Sequence, residues 1–512
     1  MNQGSLLFDR NQDRGIARGA SLLITVAFLA QIGYIIVRYK YFTYILREQV
    51  MTTPMFGWLL MGYVLFAALF LFLHFRLNRA GFRSPWVWGT AIFLLALALR
   101  FFAYAHIFYK PTSDFQNYYD IGAAFVRGDY SFIASKAAGY HISSFSGLGV
   151  INGLILLLSG TSVRAFQFAQ CVISSFSCVA TYLIARRFDE ASAPAAGVLF
   201  ALYPANIVFS QVTSNQHIAT LFALLSIWLM LLAFSEPGFI KAGAFSLGGG
   251  VLLLLSYFSH PSTATTLLAF GLFWLVLLLS ALRKRRELLR LLLIGAVFCA
   301  GFFVLRAGTY AVLRATGLSQ PSAANSSYLT KVVIGLNPET TGAYSESDWG
   351  MVWAQPESEQ NAFCLKVIRE RLNQPDLYGF FDTKLLRMWM VPDTSFGWAT
   401  TGTLLPAQTG DGGIAASSWL AGAALLDFFY VAGIFFFAWV GGLFRRRGNA
   451  GDLLLWIFMG WIGAHFFLEI QTRYRYFGMP FLIIFAAFGV YCLLGGAGNL
   501  LRRKRAKTPG VQ

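Results

Sequence analysis

Long apolar runs recur along the chain and constrain its fold more than any other feature. A helix that spans a bilayer needs about 20 predominantly apolar residues. Runs near this length predict an all-α polytopic membrane protein, and their continuity argues against the alternating pattern of a β-barrel. The thirteen runs are residues 19–37, 56–75, 86–109, 143–159, 164–185, 192–209, 217–234, 242–257, 262–282, 290–312, 419–443, 452–470 and 474–497.

The composition excludes an ordinary cytosolic enzyme and a disordered chain. Charged residues make up 12% and hydrophobic residues 57% of the sequence, whereas soluble proteins average about 25% charged residues. Four of the five cysteines lie inside apolar runs and only Cys364 lies in a polar loop, so no disulfide framework is predicted. The first run, 19–37, is longer than the apolar core of a signal peptide, and we expect it to be retained.

The net charge of +17 is concentrated in short loops, which indicates topology and not a nucleic-acid partner. Basic clusters belong on the cytoplasmic side of a membrane. All of them fall there if 143–159 is a surface-lying helix and the other twelve runs span, with both termini cytoplasmic. The outer loop 38–55 is an exception, because it carries Arg38, Lys40 and Arg47. The clusters are Arg10/Arg14/Arg18, Arg76/Arg79/Arg83, Arg186/Arg187, Arg283/Lys284/Arg285/Arg286, Arg445/Arg446/Arg447 and Arg502/Arg503/Lys504/Arg505/Lys507.

This topology divides the chain into four parts and places most acids outside. The loops 110–163 and 313–418 hold thirteen carboxylates, whereas the cytoplasmic loops are short and basic. We therefore expect any chemistry on the outer face. The parts are an N-terminal hairpin (1–85), a membrane core with outer loop 110–163 (86–312), an extracytoplasmic loop domain with helical segments at 356–374 and 376–391 (313–418), and C-terminal helices with a basic tail (419–512).

Asp114 is the main catalytic candidate. Ser113 followed by Gln116 forms a capping-box pattern, which predicts a helix of about 114–127 that ends at Gly128. In its first turn the helix dipole favours an ionised Asp114. With Tyr118 and Tyr119 nearby, that carboxylate could accept a proton from a hydroxyl or hold a divalent cation. The alternative is an acidic first turn beside interfacial tyrosines.

Arg473 and Arg475 lie at the outer end of the last run, against the positive-inside rule. A guanidinium binds phosphate oxygens bidentately, so this pair is a candidate phosphate site. Glu469 lies four residues before Arg473, so the two can pair. The alternative is interfacial snorkelling with a local salt bridge.

Two further residues are candidates for substrate binding. Arg100 lies inside the third run, where a charge usually faces a partner or a cavity; Asp114 is one such partner, and a structural ion pair is the alternative. His260 precedes Pro261 at an outer helix start and could contact a headgroup or a sugar. It could equally be a helix-cap residue. We find no Walker A, HExxH or CxxC pattern and no inverted repeat of broken helices.

The order of these features resembles the GT-C superfamily of membrane glycosyltransferases. The features are an Arg late in a membrane helix, Asp-Phe-x-x-Tyr-Tyr in the following loop, a surface helix, Ala185-Arg186-Arg187-Phe188, and Gln-Thr-Arg-Tyr-Arg-Tyr-Phe-Gly-Met-Pro ending at Pro480. The chain is most similar to bacterial glycosyltransferase family 39, relatives of the protein O-mannosyltransferases and the lipid A aminoarabinose transferase. The likeness covers 86–235 and, less closely, the last helices.

The resemblance implies transfer of a sugar from a polyprenyl-phosphate carrier to an extracytoplasmic glycan, lipid or protein. Asp114 falls at the family's catalytic Asp, and Arg473 or Arg475 at a carrier-phosphate contact. Phe115 stands where a second acid often follows, which leaves a divalent cation open. The other functions to weigh are a surface polysaccharide polymerase or ligase and a transporter or flippase of lipid-linked glycans.

Overall fold

The computed structural model describes residues 14–45, 54–79, 84–107, 109–139, 144–260, 263–319, 327–391, 393–400, 413–445 and 450–507. The regular structure of these residues is helical throughout. The predicted all-α class is therefore confirmed.

Eleven helices in the described ranges are long and apolar enough to cross a membrane. They match eleven of the predicted spanning runs, and the polytopic fold class is confirmed. The spans are Ile16–Arg38, Phe56–His74, Pro85–His106, Val163–Phe188, Gln216–Ser235, Phe239–Ser259, Thr263–Ala281, Arg285–Ala315, Trp419–Phe444, Ala450–Phe467 and Thr472–Gly495.

The twelfth predicted span, 192–209, is not a continuous helix. It forms Ala193–Leu202 and Pro204–Phe209, with Tyr203 extended between them. Pro204 has no N–H to donate, and a proline at i+1 disfavours helical geometry at the preceding residue. Side chains bond the backbone groups at the break: Tyr63 donates to the Leu202 carbonyl at 2.7 Å, and Asp427 accepts from the Ala205 N–H at 3.0 Å.

The broken segment still runs from one end of the helix bundle to the other. It leaves the end of Val163–Phe188 and returns near the start of that helix, where the Gln167 and Gln170 side chains donate to the carbonyls of Gln211 and Ser214, each at 2.7 Å. Because Val163–Phe188 contains 26 residues, these ends are about 39 Å apart. Among the described residues, the bundle therefore consists of eleven long apolar helices and one interrupted traversal.

The described members of the basic clusters gather at one end of the bundle. Arg445 is 2.6 Å from Asp452 and bonds Ser21 near the start of the first helix. His74 contacts the Ala191 carbonyl at 2.9 Å, which brings the second cluster beside Arg186 and Arg187. This arrangement is the one that the loop charges predict. Arg38, the exception, pairs with Asp382 at 2.8 Å at the opposite end.

Three helices form the first segment that is predicted to lie outside: Ser113–Arg127, Tyr130–Gly139 and Ser144–Ser159. We call the first the Asp114 helix. Ser144–Ser159 is apolar but shorter than the spanning helices, and its predicted surface position stays a prediction. The capping-box prediction was wrong, because Thr112 occupies the cap position without a side-chain bond and Gln116 donates to Asp120 instead.

The predicted outer domain, 313–418, contains five helices in its described part. Both predicted helical segments are present, at Glu357–Leu372 and Leu377–Trp389, and Asp376 caps the second by accepting from the Gly379 N–H. The other three helices are Ser327–Gly335, Glu346–Trp353 and Thr394–Thr400.

Candidate functional site

Asp114 is held in an exposed position by a strained backbone. Ser113, immediately before it, has a φ of 52°, a left-handed conformation that costs a non-glycine residue about 1–2 kcal/mol. Strain of this kind clusters at functional sites. Within the described part of the chain, the Asp114 side chain makes no hydrogen bond or ion pair, so its carboxylate is available to a ligand.

Phe115 anchors the start of the Asp114 helix in the bundle. Its side chain is 1% exposed, and its ring lies edge-on to Trp398 at 5.1 Å and to Phe209 at 6.2 Å. The Thr213 hydroxyl holds its carbonyl. Phe115 is therefore a buried aromatic anchor. It keeps the neighbouring Asp114 at the edge of the cluster of rings formed by Phe115, Phe209 and Trp398, which we call the aromatic cluster.

Arg473 lies over the same aromatic cluster. Its guanidinium carbon is 4.8 Å from the Phe115 ring centre, 5.5 Å from Trp398 and 5.7 Å from Tyr474. The residue is 8% exposed, and its Nε has no hydrogen-bond partner among the described residues. None of the ion pairs between described residues involves Arg473. A buried cation without a counter-ion is costly, and an anionic ligand would satisfy it.

Glu469 does not pair with Arg473, contrary to the prediction from their spacing. The helix ends at Phe467, and Arg473 follows in a short 3₁₀ turn, Thr472–Tyr474. Because the two residues are not on one helix, the four-residue spacing does not bring them together. Glu469 instead pairs with Lys331 of the outer domain at 2.5 Å.

His260 lies beside the arginine as a neutral imidazole. Its ring is 6.3 Å from that of Tyr474. Burial, with the positive charges of Arg473 and Lys331, lowers the pKa of His260 to about 3. At neutral pH its ring can therefore donate or accept a hydrogen bond but carries no charge.

Tyr344 of the outer domain feels the charge of Asp114. Burial and a 2.6 Å hydrogen bond to Glu346 raise the pKa of Tyr344. The negative charges of Asp114 and Glu469 act on the Tyr344 hydroxyl in the same direction. Both carboxylates therefore lie within electrostatic range of this half-exposed tyrosine of the outer domain. The predicted residues Asp114, Glu469, Arg473 and His260 thus share one region.

The two predicted tyrosines point to different neighbours. Tyr118 is half-buried, with its ring 6.2 Å from that of Phe115 and 5.8 Å from that of Phe145. It extends the aromatic cluster. The Tyr119 hydroxyl donates to the Thr161 carbonyl on another face of the helix, away from Arg473.

Arg100 and Arg475 do not join the region around Asp114. Arg100 is fully buried and donates to the Ser174 hydroxyl at 2.8 Å and to the Ala96 carbonyl at 3.0 Å. The predicted contact with Asp114 is absent because Arg100 lies six residues before the end of its helix, about 9 Å below that end. Arg475 is also fully buried, and it donates to the carbonyls of Met388 and Val391.

The outer domain holds the loop that carries Arg473. Lys384 is 1% exposed and donates to the carbonyls of Phe466 at 3.0 Å and Leu468 at 2.7 Å. Burial lowers the pKa of Lys384 to about 7. Further along, the Ile470 N–H donates to Gly342 and the Thr472 hydroxyl accepts from the Thr394 N–H. Residues 468–472 thus take their shape from the outer domain.

Sequence reasoning missed Trp398, Lys331 and Tyr344. Each comes from the outer domain and reaches the region only through the fold, so local sequence carries no signal for them. The sequence also left a divalent cation open. Within the described ranges, no group of three or more His, Cys, Asp or Glu side chains could hold a metal ion.

The fold and the buried charges define a polytopic, all-α integral membrane protein. Residues 150–491 match the profile of a family described as "conserved hypothetical integral membrane protein", which is well over half of the chain. The chain belongs to that family. No curated protein matches it.

Two solved structures resemble the chain at low sequence identity. One is the archaeal oligosaccharyltransferase AglB from Archaeoglobus fulgidus, in complex with an inhibitory peptide and a dolichol-phosphate. It has 14% identity and a TM-score of 0.44 over 83% of this chain and 52% of that chain. The other is the Archaeoglobus fulgidus oligosaccharyltransferase in the apo form, with 13% identity and a TM-score of 0.44 over 84% and 53%. The chain spans about half the length of these structures.

Proposed function

We propose that the protein is a membrane glycosyltransferase that moves a sugar from a polyprenyl-phosphate carrier to an acceptor hydroxyl. One observation carries the proposal: the exposed carboxylate of Asp114 is next in the chain to a ring that packs against a buried arginine, Arg473, which has no counter-ion among the described residues. Phe115 links the two, because it follows Asp114 in the chain and its ring lies under the guanidinium. A general base beside a phosphate-binding cation is the pair that such a reaction needs.

The residues divide the chemistry as follows. Arg473 binds the carrier phosphate, and Asp114 accepts the proton of the acceptor hydroxyl. The acceptor oxygen forms a bond to the anomeric carbon while the bond from that carbon to the phosphate oxygen breaks. The leaving phosphate takes the electron pair, and Arg473 stabilises its charge. Attack opposite the leaving group inverts the anomeric centre.

Neighbouring residues suit a sugar substrate. Tyr118, Trp398 and Tyr474 surround the pair with aromatic surface, which packs well against apolar sugar faces. His260 offers a neutral hydrogen-bonding ring, and Glu469, held by Lys331, is a further carboxylate for sugar hydroxyls. A divalent cation is not needed in this scheme.

Loop charge supports an extracytoplasmic site. The described basic clusters lie at the end of the bundle opposite Asp114, and such clusters remain on the cytoplasmic side. We therefore place Asp114 on the outer face of a bacterial inner membrane, with both termini cytoplasmic. The acceptor is then an envelope glycan, a lipid or a protein.

Transfer from radiolabelled polyprenyl-phosphate sugars tests the proposal. Purified full-length protein in nanodiscs is given membrane extract as acceptor, with wild type beside Asp114→Asn and Asp129→Asn. Asp129 is a matched control, because it is an exposed acid of the same outer segment whose carboxylate accepts from Phe132 N–H and Ser131. Asparagine can keep those contacts. We expect Asp114→Asn to lose transfer at least a hundredfold, the usual range for a general base.

The outcomes separate the alternatives. Transfer that survives in Asp114→Asn refutes the assignment of the base. A wild type that moves no sugar from any donor but extends lipid-linked oligosaccharides would be a polymerase or ligase. Movement of intact lipid-linked glycan across the membrane without a new glycosidic bond would indicate a flippase.

A further inference from the structure

We propose that Arg306 forms a second binding site, for the phosphate of a membrane lipid, on the membrane-facing side of the helix Arg285–Ala315. This site is separate from Arg473. It is formed by Arg306 with Tyr257, Tyr310 and Tyr328, and we call it the Arg306 site.

Aromatic rings hold the Arg306 guanidinium. Its carbon lies 4.6 Å from the ring centre of Tyr257 and 5.7 Å from that of Tyr310. Nη2 donates to the Tyr257 hydroxyl at 3.0 Å, and that hydroxyl is 3.3 Å from the hydroxyl of Tyr328. The cation is thus fixed in place beside two phenol groups that can also donate to an anion.

Within the described part of the chain, Arg306 has no carboxylate partner, in contrast to two other half-buried arginines, Arg38 and Arg371. Arg38 pairs with Asp382 and Arg371 pairs with Asp348, but none of the ion pairs between described residues involves Arg306. A guanidinium has five N–H donors. The Tyr257 hydroxyl takes one of them, which leaves an edge of the group for phosphate oxygens.

The depth of Arg306 suits a lipid phosphate. It lies 21 residues after Arg285, about 32 Å along the helix axis, and the hydrocarbon core of a bilayer is about 30 Å thick. Since Arg285 belongs to a basic cluster at one end, Arg306 reaches the headgroup level at the other. The residues just before it face outward: Phe303, Val304 and Leu305 are 46%, 66% and 45% exposed.

The Arg306 site is also connected to the region around Asp114. Tyr328 lies on the helix Ser327–Gly335, three residues before Lys331 and so on the same face. Lys331 pairs with Glu469, and its charge acts on His260 together with that of Arg473. A row of cations therefore leads from the membrane-facing helix to Arg473. The step in which a carrier lipid passes along this row rests on the proposed function; the lipid site itself does not.

Native mass spectrometry of the full chain in phosphatidylcholine nanodiscs tests the site. Polyprenyl monophosphate, phosphatidylglycerol and inorganic phosphate are added separately. Binding is compared between Arg473→Gln, which removes the other candidate phosphate contact, and the double variant Arg473→Gln with Arg306→Gln. Arg314→Gln in the same background is the matched control, because Arg314 is an exposed arginine on the same helix.

We expect Arg306→Gln to weaken binding of at least one of the two lipids about tenfold or more, the effect of losing a charge-assisted hydrogen bond. Arg314→Gln should leave it unchanged, and inorganic phosphate should bind more weakly than the lipid. Preference for the polyprenyl lipid or for phosphatidylglycerol then names the source of the phosphate. Tyr257→Phe, which keeps the charge and the ring, should cause a loss of a few-fold and serves if Arg306→Gln does not fold.

The proposal is overturned if Arg306→Gln and Arg314→Gln bind both lipids equally, or if inorganic phosphate binds as tightly as either lipid. Failure of this site and failure of the proposed function are distinguishable. Lipid binding that depends on Arg473 but not on Arg306 refutes the second site alone, whereas sugar transfer that is independent of Asp114 refutes the function alone.

Discussion

Replacing Arg473 with methionine should separate stability from function. Arg473 is 8% exposed and has no carboxylate partner within the described part of the chain. Its burial therefore lowers the stability of the folded protein until an anion binds. Methionine is uncharged, flexible and favourable beside aromatic rings, so it can occupy the space between Phe115 and Trp398. We expect a protein that is at least as stable as wild type and that does not transfer sugar.

The magnitude follows from two opposing terms. Removing a charge from water costs several kcal/mol after relaxation. Each ring beside the guanidinium returns about 0.5–2 kcal/mol, and three rings lie within 6 Å. The two terms leave a net cost of roughly 0–3 kcal/mol for the empty site. The melting temperature of Arg473→Met should therefore be unchanged or raised by about 1–3 °C, while transfer falls about a hundredfold or more.

Arg371→Met is the matched comparison. Arg371 also lies in a largely buried setting, but it donates to both carboxylate oxygens of Asp348, at 2.9 and 2.7 Å. Removing one partner of a buried pair costs about 3–5 kcal/mol, so this variant should melt at a clearly lower temperature than wild type. Both variants are followed by thermal unfolding in detergent, with and without polyprenyl phosphate, and the lipid should stabilise wild type but not Arg473→Met.

Two results would refute the reasoning. If Arg473→Met loses as much stability as Arg371→Met in the absence of lipid, the Arg473 guanidinium stabilises the folded protein, and its burial carries no net free-energy cost. If Arg473→Met keeps wild-type transfer, the arginine does not bind the carrier phosphate, whatever its effect on stability.

Three other substitutions test the surroundings of the site. Gly153→Ala should lower stability by about 1–3 kcal/mol and reduce transfer, because a Cβ there meets the Asp114 helix; Gly433→Ala, with open space around it, should be neutral or raise the melting temperature. Burial alone would raise the pKa of Asp348, but its hydrogen bonds outweigh this and lower it. The stability that the Asp348 carboxylate contributes is thus present above about pH 4 and is lost as the pH falls further. Asp348→Asn should loosen the outer domain and so speed alkylation of Cys364, which is buried in the same domain, at neutral pH. Because burial lowers the pKa of His260, the unfolded state takes up a proton first; stability should fall as the pH drops from about 6.5, and His260→Gln should flatten this part of the pH–stability curve.

Much of the membrane fold follows from sequence because lipid imposes a simple rule. Backbone groups in hydrocarbon must bond within their own segment, so an apolar run of sufficient length becomes a helix. The rule fails at 192–209, where protein surrounds the segment and side chains can satisfy a broken backbone. Tyr63 and Asp427 come from distant helices, so the local sequence around 192–209 does not predict these contacts. Pro204 alone marks the break.

The candidate site could be predicted only where a residue acts within its own segment. Asp114 was identified because the start of a helix and an acidic first turn are local features. The pairing of Glu469 with Arg473 was wrong because it assumed one continuous helix. The outer domain draws residues 468–472 out of helical geometry through backbone bonds to Lys331 and Gly342.

The same contacts make the outer domain part of the site and not an independent module. Arg473 lies on a loop whose shape depends on Lys384, and its ring partner Trp398 belongs to the outer domain. The arginine, which has no carboxylate partner among the described residues, can therefore stay buried only while that domain is packed on the bundle. A loosened domain would return Arg473 to water, where it no longer needs an anion and binds one weakly. If Arg473 binds a lipid phosphate as proposed, its affinity depends on the packing of the outer domain as much as on the arginine itself.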